Sequence, residues 1–95
     1  MSNQSNKIQF TILHVEDNPG DVRLTQETFK DSNYNINLDT CYDGEEALKY
    51  LSKILESDKT LPDLMILDLN LPKKNGIELL KDIKQNKSMA HVPVI

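Results

Sequence analysis

The chain has one cysteine, no tryptophan, three glycines and only five aromatic residues (three Tyr, two Phe) in 95. A lone Cys41 cannot close an intramolecular disulfide. It stands among strand-forming residues and reads as a small buried hydrophobe or an idle thiol, with neither histidine close enough in sequence to pair with it catalytically. No apolar run approaches the roughly 20 residues that a membrane-spanning helix needs. The opening MSNQSNK is polar and unlike a secretory signal, so a cytoplasmic location with no membrane partner is the expectation. An excess of positive charge is missing too. Fifteen acidic residues outnumber eleven basic ones for a net charge of −4, and Lys73-Lys74 is the only adjacent basic pair. That argues against a nucleic-acid partner, because sequence-independent affinity for phosphate backbones depends on clustered Lys and Arg. Neither a G-x-G-x-x-G nor a P-loop pattern occurs, which leaves dinucleotide and nucleoside-triphosphate binding without support.

What is present fits one small soluble domain, with 38% apolar and 27% charged residues. Residues 1–7 read as a flexible tail and 8–95 as the folded domain. Ile8–Val15 is rich in β-formers and is followed by the turn residues Glu16-Asp17-Asn18-Pro19-Gly20. Val22, Thr25 and Phe29, with Leu24 and Thr28 alongside, predict an amphipathic helix from Asp21 to about Asp31, capped by Asp21 or Asn18. Ile36 to Tyr42 alternates and predicts a second strand with one better-buried face. Asp43 is a natural N-cap for a helix lined by Ala47, Leu48, Leu51, Ile54 and Leu55. The continuous apolar run Leu64–Leu67 suits a parallel strand covered on both faces. A loop over 71–76, a third helix carrying Ile77, Leu80 and Ile83, a polar stretch over 85–91 and a fourth strand from Val92 complete the chain.

Strands alternating with helices imply an α/β fold with a parallel sheet, whose ligands gather at the carboxyl ends of the strands. Glu16 and Asp17 end the first strand and Asp68 ends the third. If those strands are neighbours, three carboxylates meet at one edge. An all-oxygen donor set of that kind favours a hard divalent cation such as Mg²⁺. A carboxylate beside it is a plausible phosphoryl acceptor, because aspartyl phosphates are known covalent intermediates. A plainer alternative makes Asp17 and Asp43 helix caps and Asp68 the close of its strand. For Asp43 the cap is preferred.

Three segments, Ile12-Leu-His-Val-Glu-Asp-Asn-Pro-Gly-Asp21, Pro62-Asp-Leu-Met-Ile-Leu-Asp-Leu-Asn-Leu-Pro-Lys-Lys-Asn-Gly76 and Val92-Pro-Val-Ile95, together resemble the receiver domains of two-component response regulators. The EDNPGD and DLNLPKKNG stretches further resemble single-domain regulators that serve phytochrome-like sensor kinases. The resemblance implies a flavodoxin-like doubly wound parallel sheet, here βαβαβαβ and lacking the last helix–strand–helix stretch. It implies a module of a phosphorelay, not an enzyme in the ordinary sense, that takes a phosphoryl group from a sensor histidine kinase or phosphotransfer protein. In that reading Asp68 is the phosphoacceptor. Mg²⁺ is held by Glu16, Asp17, Asp68 and the backbone carbonyl of Asn70, while Pro72 and Gly76 shape the loop behind the site.

Receiver domains also carry a Ser or Thr at the end of strand 4 and a Lys at the end of strand 5. Neither position is reached before Ile95, so the expectation is a domain cut within strand 4. Its sheet edge and exposed helix faces would then invite self-association. A non-phosphorylated interaction domain on the same scaffold is the second reading. Two other Asp-bearing motifs fit less well. A haloacid-dehalogenase-like phosphatase needs a second Asp where Asn70 stands, and a calcium EF-hand loop would place Pro72 and Lys73 where a ligand and the required Gly belong.

Overall fold

A computed structural model describes residues 9–57, 59–68, 71 and 75–95. The expected tail over 1–7 lies outside these residues, as do Asn70 and Pro72. In chain order the elements are β1 (Gln9–Val15), α1 (Pro19–Lys30), β2 (Asn35–Cys41), α2 (Gly44–Leu55), β3 (Leu64–Leu67) and α3 (Gly76–Gln85). The three strands form one parallel sheet in the order β2-β1-β3. The expected fourth strand is a single parallel bridge, Met65 to Val94, beside β3. It is held by the Met65 N–H on the Pro93 carbonyl (2.9 Å), the Ile95 N–H on the Met65 carbonyl (2.9 Å) and the Leu67 N–H on the Ile95 carbonyl (2.8 Å). The progression 2-1-3 and then Val94 is that of the flavodoxin-like doubly wound sheet.

Each helix start has a local cause. Asn18 adopts extended backbone and its Oδ1 accepts the Asp21 N–H at 3.1 Å, with Pro19 at the first helical position, where a missing N–H costs nothing. The helix therefore opens two residues before the expected Asp21. Asp43 caps α2 as expected, accepting the Glu46 N–H at 2.8 Å. Asn75 and Glu78 form a reciprocal capping box that starts α3.

The main core lies between the sheet and the pair α2 and α3. Leu13 and Val15 of β1, Cys41 of β2 and Met65 of β3 pack there with Ala47, Leu51, Leu79 and Ile83. Ile12 and His14, in the opposite phase of β1, lie on the other side with Val22 of α1.

Three expectations are corrected here. Among the described residues of β2 the fully buried one is Cys41, in phase with Asn37 and Asp39, while Tyr42 is exposed. The polar phase faces α2 because Asp39 has a partner there: the Tyr50 hydroxyl donates to its Oδ2 at 2.5 Å. On β3, Met65 is fully buried but Leu64, Ile66 and Leu67 are half-buried, so the strand is not covered on both faces. On the α1 side the sheet presents an apolar cleft of about 420 Å³ between Phe10, Ile12, Tyr34, Ile36 and Leu64. Finally, the polar-looking stretch after α3 contributes Met89 to the core at 3% exposure. No helix among the described residues is long and apolar enough to cross a membrane.

Candidate functional site

Two backbone hydrogen bonds bring the acidic residues together at the carboxyl edge of the sheet. The Asp68 N–H donates to the Val15 carbonyl at 3.1 Å, extending the β1–β3 ladder one residue past β3. The Glu16 N–H donates to the Cys41 carbonyl at 3.0 Å, tying the first residue after β1 to the end of β2. The chain thus leaves the sheet at Glu16 and Asp17 beside the point where it leaves at Asp68. One carboxylate oxygen from each of the three residues lies within 4.8 Å of those from the other two. Glu16 and Asp68 are half-buried and Asp17 is exposed.

The electrostatics of this cluster are those of acids in need of a countercharge. Burial pushes the Glu16 carboxyl above its usual range, and the nearby Asp68 pushes it the same way. The Asn18 N–H, donating to Glu16 Oε2 at 3.2 Å, works in the opposite direction. His14 is buried beneath the edge. Burial lowers its imidazole pKa, against the pull of Asp21 and Asp68. A site of three converging carboxylate oxygens and no soft ligand suits a hard divalent cation, one ligand oxygen per residue with room left for water or phosphate. The residues present therefore fit the metal that the sequence pattern implies.

Of the residues singled out from sequence, Glu16, Asp17 and Asp68 converge. Asp43 is not part of this cluster but caps α2. Gly76 is the first residue of α3 and is buried, and Asn70 and Pro72 lie outside the described residues. Asn18 is the residue that sequence reasoning undervalued. Its side chain starts α1 and its N–H reaches Glu16. The Asn-Pro pair was the available signal, a capping residue directly ahead of a proline suited to the first helical turn.

The sequence profile described as the response regulator receiver domain matches residues 12–95. The chain belongs to this family. Receiver domains are signalling modules of two-component systems, and the incomplete sheet here is part of their fold. Over its whole length the domain is 43% identical to the response regulator Rcp1 of Synechocystis sp., of which it spans 65%. Among solved structures it is similar to the phosphorylated cyanobacterial phytochrome response regulator RcpA, with a TM-score of 0.83 and 40% identity over 92% of this chain and 63% of that one. It is also similar to the Mn²⁺-bound form of Rcp1, with a TM-score of 0.81 and 42% identity over 90% of this chain and 62% of the other. This receiver domain thus spans somewhat under two-thirds of the length of these relatives.

Proposed function

We propose that this receiver domain accepts a phosphoryl group on Asp68 from the phosphohistidine of a sensor kinase or phosphotransfer protein, with Mg²⁺ as the cation. The observation that carries the reading is the convergence of Glu16, Asp17 and Asp68 within 4.8 Å at the carboxyl edge of the sheet. Its support from relatives is the phosphorylated RcpA and the Mn²⁺-bound Rcp1.

In this scheme Glu16, Asp17 and Asp68 would each offer a carboxylate oxygen to the cation, and Asp68 would also be the phosphoryl acceptor. The backbone carbonyl of Asn70 is a further candidate ligand. When bound, Mg²⁺ neutralises charge on the phosphoryl oxygens. A carboxylate oxygen of Asp68 attacks phosphorus in line with the departing imidazole. The new O–P bond forms as the P–N bond breaks, and the electron pair stays on the imidazole nitrogen, which takes up a proton. The product is an acyl phosphate on Asp68.

Fixing Asp68 is the work of the β1–β3 ladder, through its N–H on Val15. With its main chain fixed at a strand end, Asp68 has only side-chain torsions left to set when it meets the incoming phosphorus, which is the positional advantage the fold supplies. The experiment is a titration with Mg²⁺ and beryllofluoride, a mimic of the acyl phosphate, followed by amide NMR. Mg²⁺ alone shifts amides at the cluster. A further set of shifts at 16–18 and 67–69 on adding beryllofluoride, which needs Mg²⁺ and vanishes in Asp68→Asn, is expected. Binding that persists in Asp68→Asn overturns the assignment of the acceptor.

A further inference from the structure

We infer that His14 and Thr40 hold one buried water molecule between them, on the α1 face of the sheet and behind the carboxylate cluster. The two residues are direct register partners in the parallel ladder of β1 and β2. Their side chains therefore project from the same face of neighbouring strands, about 5 Å apart at Cβ. His14 is 4% exposed. Its Nδ1 and the Thr40 Oγ1 are both shielded from solvent, and neither has a hydrogen-bond partner among the described residues.

These are the only two side-chain polar atoms of that kind among the described residues, and they are neighbours. Independent orphans would have no reason to coincide. Buried polar atoms in native proteins are almost always satisfied, and a pair left without protein partners is the usual setting of an internal water. The complementarity is right. A neutral imidazole offers one acceptor nitrogen, a hydroxyl can donate or accept, and a water can donate to Nδ1 while accepting from Oγ1. Two polar partners meet the lower limit for an ordered internal water.

The water would link the strand that delivers Glu16 and Asp17 to the edge strand whose end holds the Glu16 N–H. It differs in ligand, face and residues from the cation site and does not depend on that assignment.

A double-mutant cycle on the full chain tests it, with Thr40→Val and His14→Leu made singly and together and stability read by urea denaturation. If the water bridges the two, each single change leaves the other group unsatisfied and lowers the folding equilibrium constant about tenfold. The double variant then loses much less than the product of the two. Single changes that each stabilise the protein, and combine independently, overturn the bridge. Because His14→Leu could disturb packing, a second measurement stands beside the cycle: a high-resolution crystal structure of the unsubstituted protein and of Thr40→Ser. A water within hydrogen-bond reach of both Nδ1 and Oγ in each is expected. A direct hydrogen bond between the side chains, or dry density between them, overturns it.

Discussion

The Asp68 N–H donates to the Val15 carbonyl across 3.1 Å, one residue beyond the last register pair of β1 and β3, Val15 with Leu67. This single bond sets Asp68 beside the first residues after β1, Glu16 and Asp17. The ladder that builds the sheet therefore also brings the acidic residues to one edge, and the turn after Val15 completes the cluster.

Removing one acid should weaken the cation more than it disturbs the fold. If the proposed cation site is right, Asp17→Asn takes one carboxylate out of the cluster from an exposed position, and Mg²⁺ affinity should drop by at least about tenfold, the scale reached even by outer-shell changes at metal sites. Isothermal titration with Mg²⁺ reads this directly. Thermal stability without the metal should hold or rise, because one repulsive charge has gone. Unchanged affinity would remove Asp17 from the ligand set.

Cys41 should behave as an inert thiol. Burial, reinforced by Glu46, Asp39 and Asp43, pushes its pKa from 9.0 up to about 12. At pH 8 only about one thiol in ten thousand is then ionised in the native state, against roughly one in ten unfolded. A disulfide reagent at pH 8 should label the protein quickly in urea and very slowly without it. The same shift links to stability. Its contribution is fully present below pH 9 and is lost as the pH climbs from there toward 12, because the unfolded chain releases the proton first. Tyr50, also raised by burial and by Asp39, acts in the same direction at higher pH. Denaturant midpoints should therefore fall through the alkaline range, and a Cys41→Ala variant should fall less steeply.

Tyr50→Phe should destabilise the chain by about 1.5 kcal/mol, the usual worth of a hydrogen bond to a charged group. It leaves Asp39 half-buried without its hydroxyl donor and loosens α2 from the edge strand. Paired with Asp39→Asn in a double-mutant cycle, the two losses should be less than additive. Additive losses would show that the short contact carries no energy of its own.

Asn75→Ala removes the cap that accepts the Glu78 N–H at 2.9 Å and should cost about 1 kcal/mol by chemical denaturation. Asn75→Asp keeps an acceptor oxygen at a helix N-terminus and should cost little or nothing. Equal losses for both variants would mean that the amide group is needed for something besides the cap.

The parts of this fold that could be read from sequence are those where local signals agree. Leu64–Leu67 followed by Asp68, and Val15 followed by turn residues, mark strand ends unambiguously, and the α/β pattern then places both ends on one edge. Ala47, Leu51 and Ile54 recur at helical spacing behind a capping Asp43, and the helix is where they put it. The failures come from contacts distant in sequence. The phase of β2 depends on Tyr50, 11 residues away, which lets the polar Asp39 face a helix beside the buried Cys41. Met89 is invisible as core within a polar stretch, because the cluster it joins is built mostly by residues distant in sequence, Leu13, Leu51, Met65 and Leu79 among them. The start of α1 is a local exception: Pro19 stands among turn residues yet serves as the first helical residue behind Asn18. At the site, the strand ends place Glu16, Asp17 and Asp68 at one edge, where their carboxylates do converge, but the N–H that Asn18 lends to Glu16 depends on the turn itself.

Phosphoryl acceptance on Asp68 is tested by intact-mass analysis after incubation with a small phosphodonor and Mg²⁺. A single phosphoryl increment is expected that needs the cation, disappears in Asp68→Asn and is released by hydroxylamine, as an acyl phosphate must be. An increment that survives Asp68→Asn, or one that forms equally well in the presence of a chelator, would contradict it.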